Sequence, residues 1–309
     1  PGVFAHTPPD AACAAGGPAR EATMAENRLA AALERFAAAT RGADEAALDR
    51  PWAWGAYGDE GVRFAFLRTY EELRELAARI AHERQAQGRA PSAAQRILAQ
   101  YHSAYRDLWA AVDGLGDEEA AVAPAPDEWP VRTAVAHMIE ADAGFLVVIS
   151  HALERHRAGD PDPPAPGEAV YDEMLGSEES HRRQMALPLS SLRAWHAELH
   201  GRILAEFAAI ADGELQLGSR YWEPEPMSLR FRLHRLESHL RQHTVQVDKT
   251  QAAIGRAPDE TRRLLRLLHA GLAEVEGALL GAADVLAAEQ GRVADAIAAR
   301  ADEIAAILA

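Results

Sequence analysis

From Glu26 to the C-terminus the chain is written largely in strong helix formers (Ala, Leu, Arg and Glu), and clusters of β-branched residues with alternating polarity are almost absent. Such a chain must bury amphipathic helices against one another, which makes the expected fold class all-α. Apolar spacing predicts helices over residues 25–41, 61–87, 92–114, 130–157, 189–213, 227–254, 259–286 and 288–308. Proline-rich punctuation separates them: GDPDPPAPGEA from Gly159 and YWEPEP from Tyr221 both read as loops. The first continues to about residue 188, a connection that could cover a site or simply move.

Length and charge bound the rest. The 309 residues suffice for two domains, and 47 acidic against 32 basic side chains leave a net charge of -15. That balance opposes a sequence-independent grip on phosphates or anionic lipid, so neither nucleic acid nor membrane is expected as a partner. No run approaches the roughly 18 consecutive apolar residues of a membrane helix. Cys13 is the only cysteine, which excludes an intrachain disulfide and a four-cysteine zinc site and suits a reducing, cytoplasmic setting. Residues 1–23 read as a disordered leader, with helical patterning starting directly after Met24.

The chain echoes itself. Phe36, Asp44 and Glu45 are followed at an offset of 73 by Trp109, Asp117 and Glu118, and Val62, Arg63, Ala65 and Glu71 at an offset of 69 by Val131, Arg132, Ala134 and Glu140. The helix pair in residues 24–89 therefore looks like a degenerate copy of the pair in 92–157, with Arg68 where the copy has His137. A fainter echo links LLHAGLAEVEGALLG around His269 to AWHAELHGRILAEF around His196. These relations divide the chain into an N-terminal pair (24–89), a central motif domain (90–256) and a C-terminal pair (257–309). The outer pairs could pack as a second, degenerate bundle without metal, or bury their stripes in a homodimer.

Thirteen histidines invite a metal reading. His82, His102, His151, His156 and His181 have no partner at a useful helical spacing and read as solvated surface residues. Two pairs stand four apart, His196 with His200 and His239 with His243, a spacing that places both rings on one helix face. The stripe Leu229, Leu233, Leu236, Leu240 continues onto His243, with His239 about 40° away and His234 pointing outward. His196 and His200 lie off their own stripe and read as a solvated pair; Glu198 is also misplaced for a zinc-protease motif. A third ligand is offered by His137, whose neighbours Ala134, Ala141 and Val148 would let another helix approach. A hydrogen-bonded core is the competing explanation of these imidazoles at this point. Glu140 lies about 60° from His137 and reads as a solvated glutamate or an acceptor beside it, and Ser228 reads as a helix cap.

The segment from Trp129 to His137, followed by His239-x-x-x-His243, resembles the DinB-like superfamily of four-helix bundles, which includes YfiT-type proteins and the metal-binding domains of mycothiol-dependent enzymes. The resemblance covers about residues 90–256. It implies that His137, His239 and His243 together bind one divalent cation, zinc or nickel most often and sometimes iron, with open coordination for water or substrate. It further implies a metal-dependent enzyme acting on a small molecule by hydrolysis or by transfer of a low-molecular-weight thiol. The added helix pairs depart from the family pattern. The competing expectation is a non-catalytic helical binding or assembly protein whose core is fixed by a structural metal or by hydrogen-bonded histidines.

Overall fold

The computed structural model describes residues 18–58 and 60–309. Residues 1–17 of the expected leader lie outside the described residues, and 18–23 continue into the first helix. The helices in chain order are α1 (Pro18–Thr40), α2 (Glu45–Leu48), α3 (Val62–Ala86), α4 (Ala93–Ala111), α5 (Asp117–Ala120), α6 (Val131–Arg157), α7 (Glu168–Leu175), α8 (Glu178–Met185), α9 (Leu189–Phe207), α10 (Leu229–Ala253), α11 (Glu260–Leu279) and α12 (Ala287–Leu308). A two-residue antiparallel ribbon pairs β1 (Gly218–Ser219) with β2 (Met227–Ser228).

Local chemistry sets the boundaries. Ser92 closes a capping box with Gln95 ahead of α4, and Ser228 and Asp259 accept from the third backbone N–H of α10 and α11. Pro130, the first residue of the helix expected over 130–157, instead caps α6 from outside with extended backbone. The helix expected over 189–213 stops at Phe207, and the Glu214 carboxylate accepts from Ala211 N at 2.8 Å in the turn that follows. The helix expected over 259–286 stops at Leu279, just before Gly281 turns into the left-handed region at φ +73°.

Two hydrophobic cores result. One is built by α4, α6, α9 and α10, among them Leu98, Leu108, Val135, Met138, Leu199, Ile203, Leu233 and Leu240. The other joins the two ends of the chain: Leu33 and Phe36 of α1, Leu73 and Ile80 of α3, Leu268 and Leu272 of α11, and Ile297 and Ile304 of α12. The terminal pairs thus form a second bundle, and their apolar stripes bury each other. Neighbour relations match between the bundles: α4 packs on α10 and α9 while α6 packs on the same two, as α1 and α3 each pack on α12 and α11. The first bundle is in effect inserted whole between α3 and α11.

The bundles meet where α4 lies against α11. Gly277 permits this approach, because a Cβ there would sit 3.0 Å from the Cβ of Ala99. In the inserted bundle, α6 is apolar enough over 18 residues to suit a membrane span, but 67% of that window is buried within the protein. Its apolar character is that of a core helix.

Candidate metal centre

α6 and α10 bring together the three histidines singled out in the sequence. One nitrogen from each of His137, His239 and His243 lies within 4.8 Å of the others, the one such group of three among the described residues. The ring centroids are 5.1 Å apart for His137–His239, 4.8 Å for His137–His243 and 4.5 Å for His239–His243. Four-residue spacing on α10 supplies two rings on one face, and Ala134 on α6 is small enough to admit α10. Ligands arranged tetrahedrally at about 2.1 Å from a cation stand about 3.4 Å apart, so side-chain rotation suffices to close the set.

His239 and His243 are buried, whereas His137 is half-buried, so the group has an inner and an outer side. His243 donates from Nδ1 to the side-chain oxygen of Gln246 at 2.8 Å, which leaves its Nε2 lone pair free. Nδ1 of His239 is enclosed and has no hydrogen-bond partner. Burial, reinforced by the neighbouring His243 and His137, pushes the His239 pKa down to about 3. Burial and His243 also lower His137, against an opposing pull from Glu140. Depressed basicity at His137 and His239, an orphaned ring nitrogen and a shared focus are what a divalent cation requires, and the donor set fits one. Trp129 closes the outer side, its ring 5.1 Å from His137 and 6.4 Å from His243, while remaining 40% exposed.

Residues 100–247, which carry all three histidines, match the family model of the DinB superfamily. This segment, slightly under half of the chain, is DinB-like. No curated protein and no solved structure matches it. The DinB match corresponds to the inserted bundle, and the terminal bundle lies outside it.

The other histidines depart from expectation in an instructive way. His82 and His234 are exposed, as their positions suggested, and His151 and His156 are half-buried, the latter bonded to Gly218 O at 2.8 Å. The side chain of His181 lies outside the described residues. His102, His196 and His200, expected at the surface, are instead buried. The helix face carrying His196 and His200 turns toward α4, where His196 accepts from Trp109 Nε1 at 3.2 Å and donates from Nε2 to Asp142 at 3.1 Å. Asp142 also accepts from the Tyr101 hydroxyl at 2.6 Å. His200 stacks on Tyr105, with centroids 3.8 Å apart, and bonds His102 at 2.9 Å. His102 in turn bonds Glu276 of α11 at 2.7 Å, and Arg106 pairs with the same carboxylate. This network runs from the core of the inserted bundle into the terminal one. His269, which a faint echo pairs with His196 in the sequence, is buried on α11 as His196 is on α9.

Proposed function

We propose that the DinB bundle of this protein is a metal-dependent enzyme acting on a small molecule at His137, His239 and His243. Support comes chiefly from one observation: three imidazoles converge with two of them buried and the third reachable from outside. A set of three protein ligands suits a catalytic cation rather than a closed structural one. A divalent cation bound there, zinc or nickel before iron, would supply Lewis acidity and lower the pKa of water or of a low-molecular-weight thiol. His239 and His243 would hold the ion from one helix, and His137 would fix it against α6. Gln246 orients the His243 ring, and Trp129 limits water at the outer face. Glu140, exposed one turn beyond His137, is placed to take a proton from a bound substrate.

This reading places the protein among hydrolases or thiol transferases. The test is turnover by the metal-loaded protein of electrophilic esters, amides and epoxides, with water, mycothiol, bacillithiol or glutathione as nucleophile. Turnover that disappears on chelation and in His137→Ala supports an enzyme. Retained metal without turnover across the panel assigns the centre to a binding or assembly role.

A further inference from the structure

Arg235 precedes His239 by four residues on α10, which places it one turn away, about 6 Å along the axis and about 40° around it. It is half-buried, its Nη1 donates to the Ser238 hydroxyl at 3.2 Å, and among the described residues no carboxylate is paired with it. Its neighbours on the helix differ. Arg232 holds both oxygens of Glu223 at 2.6 and 2.7 Å, and Arg241 pairs with Asp107 and Glu237. Glu223 feels the Arg235 charge as well, but its bonds go to Arg232.

The guanidinium belongs to the surroundings of the three-His centre. Burial and the other two histidines depress His239, and the charge of Arg235 adds to them. α6 and α10 run antiparallel: Trp129, ahead of α6, lies by His243, whereas Gly144, seven residues beyond His137, meets Tyr221 ahead of α10. The centre therefore has two ends. Trp129 closes one, and Arg235 and Glu140 flank the other, each one turn from a histidine. Glu140 acts on His137 and Tyr221 and forms no ion pair with Arg235.

Two independent observations thus meet at this end: a half-buried guanidinium without an anion, and His239, more than nine-tenths buried with a ring nitrogen that has no partner. The planar fork of one guanidinium matches a carboxylate, two N–H groups to two oxygens. A phosphate dianion would ask for more donors than this one side chain supplies, and Glu140 would oppose its second charge.

We propose that Arg235 is a specificity-determining residue of the three-His centre and selects a small molecule bearing a carboxylate, which it holds bidentately while the reacting group lies at the histidines. This assignment rests on the catalytic reading above and adds the substrate class to it.

Calorimetric titration of the zinc-loaded full chain at neutral pH with two thiols of equal length, 3-mercaptopropionate and 3-mercaptopropanol, tests the proposal. The acid should bind roughly tenfold more tightly than the alcohol, as a charge-assisted pair predicts. Arg235→Gln should erase that preference with zinc content and helicity unchanged, and Arg235→Lys, which keeps the charge but not the fork, should restore part of it. Equal affinities, a tighter alcohol, binding of neither probe, or an acid preference that survives Arg235→Gln overturns the assignment. Loss of zinc or of helicity from both Arg235 variants would make the residue structural and overturns it too. Zinc content of the parent protein separates the two readings: no uptake sinks the metal centre itself, and bound zinc without the acid preference sinks the role of Arg235 alone.

Discussion

Arg68 occupies in α3 the place His137 occupies in α6, each being the seventh residue of its helix counted from Val62 and Val131. Each also lies against a tryptophan from the preceding segment: Trp54 sits 4.3 Å from the Arg68 guanidinium, and Trp129 lies 5.1 Å from His137. Arg68 bonds Glu72 at 3.0 Å, and Glu72 pairs with Arg300 of α12 at 3.0 Å. The terminal bundle thus ties its second helix to its last with an ion pair, whereas the inserted bundle brings three imidazoles together at the corresponding contact.

Among the described residues the proposed metal centre therefore has no counterpart in the terminal bundle. Arg68→His should leave the metal content at the wild-type level of about one ion per chain, because α12 contains no histidine to complete a second set. Elemental analysis of the purified variant checks this. A second equivalent of bound metal would contradict it.

The seam between the bundles should be sensitive to loss of a single carboxylate. Glu276→Ala leaves the buried His102 and the half-buried Arg106 without their acceptor, and removing one partner of such a pair costs on the order of 3–5 kcal/mol. Urea denaturation should show a lowered midpoint, larger than that for Glu274→Ala, whose partner Arg74 is exposed.

Acid should weaken the same region. Burial, helped by His102 and His196, holds His200 well below its ordinary pKa, and burial together with Arg106 lowers His269 to about 4. Both groups bind protons more readily unfolded than folded, so stability is full above the unfolded value of about 6.5 and falls as pH drops toward about 4. For Glu276, burial acts upward but Arg106 and His102 outweigh it and hold the carboxyl at about 2, so its contribution fades only as pH falls from about 4.3 through that value. Denaturation midpoints measured from pH 7.5 to 4 at constant ionic strength should decline steadily. A flat profile would contradict the burial of these imidazoles.

Two helical glycines should respond oppositely to alanine. Gly201 on α9 has open space around a built Cβ, so Gly201→Ala should stabilise by about 0.5–1 kcal/mol through helix propensity. At Gly144 the same gain is offset by overlap with the Tyr221 hydroxyl, so Gly144→Ala should lower the melting temperature and displace that phenol. Thermal unfolding of both variants decides the matter.

Much of this was legible in the sequence because it depends on short-range periodicity. The stripe running from Leu229 to His243 sets the inward face of α10, and the seventh-position echo ties Arg68 to His137. What remained illegible depends on a helix having two buried sides. α4 carries Leu98, Tyr101 and Leu108 into its own core, but its opposite side, with His102 and Arg106, meets α11 from a segment more than 150 residues away. The stripe of α4 taken alone leaves that side facing solvent, so the burial of His102 is not legible in the sequence. The short helices α7 and α8 were missed for a related reason: the proline-rich start of their segment masks two helices of eight residues each that are ordered by packing on α6.

The most direct test of the account is elemental analysis of the protein purified without chelator, alongside His137→Ala, His239→Ala and His243→Ala. About one divalent ion per chain in the parent protein, falling severalfold in each variant while circular dichroism stays helical, is the expected result. Metal content that is negligible in the parent, or unchanged in all three variants, would contradict it.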